Sequence, residues 1–374
     1  MNSEEKIRVG LSPNYDILVS DKLTCLVEKH LAKKVDASCF VIVSDPNILK
    51  IGKAVGEILE KNKCKVFVLE IKGGEENKNL KNVESMIEKM LEVGADRKSV
   101  IVSVGGGIVG DTSGFVASVF MRGIRFVQVP TTLLAMVDAS IGGKVGVNAP
   151  QCKNAIGSFF QPMEVLIGLD VLETLPQKEW KNGLAEVVKT AVLGDKDFFS
   201  FLEKNHDEIG CKRINIIREI ILSCCKIKAG IVEKDVKEAN LRQILNYGHT
   251  IGHAIEIATD YGKVSHGEAI VVGMEVEAII SNRMGFFPNA DLTRQHNLLH
   301  KLGLETILPP DVSADRIVEA LKHDKKNLGG KIIFSLPAEI GRMKEIGGNF
   351  GISVPRDVLN ASVKEFLSDD RPAS

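Results

Sequence analysis

The chain has 374 residues, 44% of them hydrophobic and 26% charged, and its 48 Lys and Arg against 49 Asp and Glu leave a net charge of -1. That length and balance exclude a single small module, a disordered or collagen-like chain, and a global basic field for nucleic acid or an anionic membrane, so any anionic ligand must be gripped locally. Seven Cys are scattered without the two-residue-spaced pairs of a zinc or redox site. With a polar, acidic N-terminus and no apolar run near the ~18 residues of a membrane span, they predict a cytoplasmic protein with reduced thiols.

Between residues 6 and 170, short β-branched runs alternate with amphipathic segments. Ile17-Leu18-Val19, Phe40-Val41-Ile42-Val43, Val66-Phe67-Val68-Leu69, Val100-Ile101-Val102-Ser103-Val104 and Phe126-Val127-Gln128-Val129 read as strands. They are almost continuously apolar, as in a parallel sheet buried on both faces. Val55, Ile58 and Leu59, then Val83, Met86, Ile87, Met90 and Leu91, set apolar residues at helical spacing in the gaps. The pattern predicts an α/β N-terminal nucleotide-binding domain, Rossmann-like with a mainly parallel sheet, over residues 1–178. After Leu175-Pro176 the periodicity turns to long helical stretches at 185–191, 214–232, 269–283 and 313–321, predicting a mostly α-helical C-terminal domain over 179–374. A small hairpin over 324–337 and a disordered tail over 369–374 complete the expectation.

Gly105-Gly106-Gly107-Ile108-Val109-Gly110-Asp111 follows a strong strand and leads into a helical segment, with G-x-G-x-x-G spacing at Gly105, Gly107 and Gly110. Such glycines let backbone approach a pyrophosphate, whose charge the helix's first amides satisfy. The acid that usually binds the ribose about 20 residues on is missing. Asp45, at the end of an earlier strand, is the substitute candidate. Further along, Arg122, Lys144, Lys153 and Asn154 are interleaved with apolar residues, which buries part of the stretch. Buried lysines need partners, and the four form a candidate phosphate-binding set.

His249 and His253 stand four apart, on one helical face, in metal-ligand geometry, and His266 and His323 are further candidates. Glu186, the most conspicuous acid in an apolar helix, would add a hard oxygen. Two imidazoles and a carboxylate with an open position describe a catalytic zinc site. Lys189, Lys228 and Arg242 lie in the same half and would grip a carboxylate near such a metal, Arg242 by a two-pronged contact.

In order, the segments Gly-Gly-Glu-Glu-Asn-Lys (73–78), Gly-Gly-Gly-Ile-Val-Gly-Asp (105–111), Met-Arg-Gly (121–123), Val-Pro-Thr-Thr-Leu-Leu-Ala-Met-Val-Asp-Ala-Ser-Ile-Gly-Gly-Lys (129–144), Lys-Asn (153–154), Leu-Ala-Glu-Val-Val-Lys (184–189), Asn-Tyr-Gly-His-Thr-Ile-Gly-His (246–253) and His-Gly-Glu (266–268) resemble the 3-dehydroquinate synthases. These are sugar-phosphate cyclases of the shikimate pathway of aromatic amino acid biosynthesis. The resemblance implies an NAD-binding domain, a helical domain, an active site between them, one divalent metal (zinc, with cobalt as the alternative) and a homodimer. It puts the metal on Glu186, His249 and His266 and moves His253 to the phosphate side. It puts NAD on Asp45, Glu75, Lys78, Gly106, Gly107, Ile108, Val109, Gly110, Asp111, Thr131, Thr132, Asp138, Lys144, Lys153 and Thr174.

The reaction so implied takes 3-deoxy-D-arabino-heptulosonate 7-phosphate. It oxidises C5 with NAD, eliminates phosphate, returns the hydride, opens the ring, and closes a carbocycle by adding C7 to the C2 carbonyl. Arg122 from the partner subunit, Lys144, Asn154, His253 and Lys325 or Lys326 would hold the phosphate end, where leaving-group charge develops. Lys189 would assist at the C4 hydroxyl. Lys228 and Arg242, helped by Asn246 and Glu238, would position the carboxylate.

Sedoheptulose 7-phosphate cyclases are the nearest alternative, and their substrate lacks that carboxylate. A metal-dependent polyol dehydrogenase would lack the lysine-rich phosphate side, and a catalytically dead NAD-binding scaffold would be expected to lose a metal ligand. Asn77 and Tyr247 depart from the family's usual aromatic and phenylalanine without removing a charge.

Overall fold

A computed structural model of the chain describes residues 4–150, 152–259, 263–305, 308–310, 312–321 and 332–368. The chain falls into two units, one comprising Met1–Trp180 with Lys228–Glu233 and the other Lys181–Ile227 with Lys234–Ser374. In the first the elements run β1 (Glu4–Val9), β2 (Tyr15–Ser20), α1 (Leu23–Leu26), β3 (Phe40–Ser44), α2 (Leu49–Lys61), β4 (Val66–Glu70), α3 (Leu80–Glu92), β5 (Val100–Gly105), α4 (Gly107–Val119), β6 (Arg125–Pro130), β7 (Lys144–Ala149), β8 (Cys152–Phe159) and β9 (Glu164–Gly168).

A seven-stranded sheet in the order β1-β2-β9-β6-β5-β3-β4 forms this unit, parallel throughout except where β1 pairs antiparallel with β2. The five apolar runs lie in β2 to β6. Central β5 shows why they read so clearly: Val100, Ile101, Val102 and Val104 are wholly buried. Two strands carry weaker signals and were not anticipated. In β1 charged and apolar residues alternate because one face is solvated, and β9 is only five residues long. The helices α2 and α3 bury Val55 and Leu59, and Val83, Met86 and Met90, as their spacing requires.

Strand order sets where a ligand can bind. From β3 the sheet continues to β4 on one side and to β5 on the other. The carboxyl ends of β3 and β5 therefore flank a switch in chain direction, the usual crevice for nucleotides in open α/β sheets. Asp45 follows β3 directly and Gly105-Gly106-Gly107 closes β5.

The second unit is mostly helical: α5 (Gln177–Gly194), α6 (Lys196–Lys204), α7 (His206–Gly210), α8 (Ile214–Lys234), α9 (His249–Ala258), α10 (His266–Arg283), α11 (Asn289–Lys301), α12 (Ala314–Ala320) and α13 (Arg356–Leu367). The final turns of α8 belong to the first unit, where Lys228 binds Asp138 and the Glu233 carboxylate accepts the Gly10 N–H at 2.5 Å. Helix α10 is buried on nearly every side from Ala269 to Ser281, although that stretch includes Glu275 and Glu277. Its Val272 and Val276 share a core with Ile251 and Ile255 of α9, Ile317 of α12 and Val363 of α13.

The expected hairpin over 324–337 falls largely outside the described residues. Residues 324–330 lie outside the described residues, and β10 (Ile333–Phe334) pairs antiparallel with β13 (Ile352–Ser353), while β11 (Pro337–Glu339) pairs with β12 (Arg342–Met343). Lys325, Lys326, His323 and the tail 369–374 also lie outside the described residues. Among those described, no helix is long and apolar enough to cross a membrane.

Helices α9 and α10 meet at a glycine. A Cβ on Gly273 would stand 1.8 Å from the Gly248 carbonyl oxygen, so no side chain fits there. Gly273→Ala is expected to lower unfolding free energy by about 1–3 kcal/mol through overpacking. Gly230→Ala in α8, where a Cβ meets nothing within 4 Å, is expected to raise it by about 0.5–1 kcal/mol. Urea denaturation of the two variants checks both signs.

Candidate active site

In the second unit three helices deliver one carboxylate and two imidazoles to a single point. Glu186 sits mid-way along α5, and His249 and His266 begin α9 and α10. Their ligand atoms all lie within 4.8 Å of one another. Glu186 Oε1 is 3.6 Å from His249 Nε2 and 3.5 Å from His266 Nε2. Those gaps are long for hydrogen bonds, but donors sharing a tetrahedral cation at bonds of about 2.1 Å would stand about 3.4 Å apart. The residues therefore fit a divalent metal.

Backbone chemistry fixes the three helices in that relation. A Cβ on Gly267 would come 2.4 Å from Asn182 Cα, so only glycine lets the start of α10 rest on α5. Asn182 Oδ1 accepts the Gly267 N–H at 3.1 Å and locks the contact. Ser265 and Glu268 form a reciprocal cap on α10, which gives the Glu of His266-Gly267-Glu268 a structural task. At α9, left-handed Gly248 precedes His249. The wholly buried Glu277 of α10 accepts the N–H groups of Gly248 at 2.7 Å and Ile251 at 3.1 Å. It takes the place of a capping side chain at the helix start.

The electrostatics follow from burial and neighbours. Burial opposes the ionised form of Glu186, but Lys189 beside it and the His266 imidazole hold its carboxyl down at about 2. Burial also opposes charge on His266, yet Glu186 and Glu256 push its imidazole up to about 9. Lys189, one turn beyond Glu186 and 1% exposed, forms an ion pair with Glu186 Oε2. His249 Nδ1 meets the Tyr247 carbonyl at 3.1 Å and His266 Nδ1 meets Glu256 at 3.3 Å. Neither Glu256 nor Glu277 was singled out from the sequence. Glu256 carries the signal that exposed Glu186, an acid within an apolar helical run.

His253 does not join the cluster, contrary to what the four-residue spacing suggests. Its ring stands edge-on to His249 with centroids 5.5 Å apart. Preceding α9, the Asp235 carboxylate accepts the N–H groups of Ala239, Asn240 and Arg242 at 2.8–3.0 Å. The loop so held presents Arg242, 1% exposed, whose Nη1 donates to the Val236 carbonyl at 2.6 Å. Asn246 donates to Glu238 at 2.6 Å, and Glu238 occupies a left-handed backbone conformation at φ 59°.

In the first unit Thr131, Thr132 and Asp111, among the predicted nucleotide residues, lie at the glycine turn or in the helix it begins. Gly106 precedes the 13-residue helix α4, whose start has no side-chain cap and no acidic residue in its first turn. Cβ atoms on Gly106 and Gly107 would lie 3.2 Å from Thr132 and Ala139. Bare amides at a glycine-lined helix start fit a pyrophosphate. Thr131 donates its N–H to the Gly105 carbonyl at 3.0 Å, and Thr132 Oγ1 accepts the Ala135 N–H at 3.2 Å.

Lys78, 3% exposed, donates to Asp111 Oδ2 and to Asn154 Oδ1, both at 2.5 Å. Burial pushes the Asp111 carboxyl up, against the pull of Lys78. Asp45 accepts the N–H groups of Asn47 at 2.7 Å and Gly73 at 2.6 Å, and Glu75 accepts from Asn148 at 2.7 Å. Lys228 donates to both the carboxylate and the carbonyl of Asp138, each at 2.6 Å. Sequence reading gave these two residues to different ligands. Asn154 and Arg122 adopt left-handed backbone at φ 53° and 68°. Arg122, Lys144 and Thr174 are exposed, the last two at the start of β7 and the end of a 3-10 turn.

Family models described as 3-dehydroquinate synthase N-terminal and 3-dehydroquinate synthase C-terminal match residues 68–182 and 183–327. The 3-dehydroquinate synthase of Thermodesulfovibrio yellowstonii is 44% identical over 93% of this chain and 97% of its own length. Among solved structures, 2-deoxy-scyllo-inosose synthase complexed with carbaglucose-6-phosphate, NAD+ and Co2+ superposes with a TM-score of 0.89 at 28% identity, over 97% of this chain and 99% of that one. The 2-epi-5-epi-valiolone synthase ValA of Streptomyces hygroscopicus, with NAD+ and Zn2+ bound, gives 0.85 at 25% identity over 95% and 97%. The two models meet end to end across most of the sequence, and the chain belongs to the 3-dehydroquinate synthase family.

Proposed function

We propose that the chain converts 3-deoxy-D-arabino-heptulosonate 7-phosphate to 3-dehydroquinate and inorganic phosphate, as a cytoplasmic homodimer that uses NAD and one zinc ion. The observation that carries the reading is the convergence of Glu186, His249 and His266. One carboxylate and two imidazoles suit zinc, with room for a substrate oxygen. In this reading residues 1–178 bind NAD and residues 179–374 bind the metal and substrate. When bound, NAD would supply a hydride acceptor and donor for C5 within one turnover, and the metal a Lewis acid for the C5 hydroxyl.

The chain's own residues bind and orient. Glu186, His249 and His266 hold the metal, and Lys189 neutralises the second oxygen of Glu186 while lying within reach of a substrate hydroxyl. Gly106 and Gly107 admit the pyrophosphate to the start of α4. Lys78 holds Asp111 and Asn154 in fixed positions, with Asp45, Glu75, Thr131, Thr132, Asp138, Lys153 and Thr174 completing the nucleotide contacts. Arg242, Asn246 (itself oriented by Glu238) and Lys228 donate to the substrate carboxylate. Lys144, Asn154, His253, Lys325 and the partner subunit's Arg122 stabilise the phosphate as its leaving-group charge develops. Sedoheptulose 7-phosphate offers Arg242 no carboxylate, which disfavours the alternative substrate.

With metal and NAD supplied, phosphate release from the heptulosonate phosphate is expected without accumulation of NADH, and chelation is expected to abolish it. Stoichiometric NADH, or a preference for sedoheptulose 7-phosphate, would overturn the assignment. Glu186→Ala should lose bound metal, measured by elemental analysis, while still showing a cooperative thermal unfolding transition, at a lower temperature because Lys189 is left buried without its carboxylate. Lys78→Ala leaves the half-buried Asp111 carboxylate without its cation, so urea unfolding should show a loss of about 1–2 kcal/mol and NAD titration a weaker Kd. Adding Asp111→Ala should restore part of that stability but none of the NAD affinity.

A further inference from the structure

Resting on the metal-site reading above, we infer that Glu256 is a positioning residue that orients His266 and, through its charge, sets the affinity of the metal site. Glu256 lies in the run Ala254-Ile255-Glu256-Ile257-Ala258 of α9, where Ala254, Ile255 and Ala258 belong to the hydrophobic core. The Glu256 side chain is 8% exposed. A carboxylate among such neighbours is costly unless it is paired. Its Oε1 lies 3.3 Å from Nδ1 of His266, whose opposite nitrogen, Nε2, faces Glu186 at 3.5 Å.

With a cation at Nε2, only one arrangement of the ring proton serves both ends. With Nδ1 protonated and donating to Glu256, the Nε2 lone pair points toward Glu186 and is available to a cation. A metal-bound imidazole is typically oriented and made more basic by such a partner on its far nitrogen.

The two imidazoles are treated differently. His249 Nδ1 meets a neutral carbonyl, that of Tyr247, at 3.1 Å. His266 meets a formal negative charge. Because Lys189 already answers the charge of Glu186, the carboxylate of Glu256 adds negative charge that a buried cation would otherwise lack. The connection also crosses helices, because Glu256 belongs to the helix that carries His249 while the ring it orients starts α10. A shift of one helix against the other would therefore turn the His266 ring as well as separate the ligands.

Co2+ affinity, measured by competition with a chromophoric chelator on full-length apoprotein, tests the inference without any assay of turnover. Glu256→Ala is expected to weaken Co2+ binding about 10–100-fold. Glu256→Gln, which keeps an oxygen acceptor but removes the charge, is expected to weaken it less and to shift the visible absorption band of bound Co2+. A purely structural role would lower the melting temperature of the apoprotein and leave the Gln variant with wild-type affinity and an unchanged band, and that result overturns the inference. If Glu256→Ala fails to fold, the Gln variant decides by the same two readouts. Glu186→Ala separates the two readings: when it loses Co2+ and the Glu256 variants do not, only the role of Glu256 falls. When wild type binds Co2+ no better than Glu186→Ala, the metal site itself falls and this inference with it.

Discussion

Everything in the helical unit depends on how closely α10 lies against its neighbours. Gly267 lets it touch α5 at Asn182, and Gly273 lets it touch α9 at Gly248. Each contact is too tight for a Cβ, so the spacing is set by backbone against backbone and has almost no play. The three cluster residues sit close to those contacts, two at helix starts and the third one turn beyond Asn182. Site geometry here is inherited from helix packing, with Glu277 pinning the start of α9 through two amides.

Charge is arranged with similar economy. The interior of the unit holds Glu186, Lys189, Glu256 and Glu277 at or below 6% exposure, a costly set for a hydrophobic core. Each has a partner: Lys189 answers Glu186, His266 lies against Glu256, and backbone amides satisfy Glu277. In the α/β unit the same logic links Lys78 to Asp111 and Asn154, and Lys228 to Asp138. A lysine singled out as a ligand contact from sequence thus turns out to be engaged with its own chain as well, which is how a flexible side chain is pre-oriented.

The sequence made some features legible and hid others for definite reasons. Strands β2, β3, β5 and β6 were plain because burial on both faces leaves a nearly unbroken apolar run, and edge strand β4 is apolar although Val68 is exposed, whereas β1, with one solvated face, alternates with charge and has no such signature. The glycine turn and the acid in α5 could be read as chemistry. Spacing alone could not choose His266 over His253, because it reports only which residues share a helix face and His266 starts another helix; the family resemblance supplied that choice. Glu256 carried a local mark, an acid in an apolar run, but its partner 10 residues on was not legible, and Glu277 was hidden because the amides it accepts lie 26 or more residues away along the chain. The packing glycines were equally silent, since Gly267 and Gly273 look like any helical glycine until the neighbouring backbone is seen.

The return of Lys228–Glu233 to the α/β unit bears on how the protein is made. Asp138 and its ammonium partner are 90 residues apart, and a long helical segment is synthesised between them. The amino-terminal half therefore leaves the ribosome with its Asp138 segment unfinished, and it completes its own fold only once Lys181–Ile227, the first stretch of the next unit, has emerged. Long-range closures of this kind slow folding and bind the two halves into one cooperative sequence of events. A chain cut after Trp180 would keep the whole sheet yet lack the ammonium that ties down Asp138.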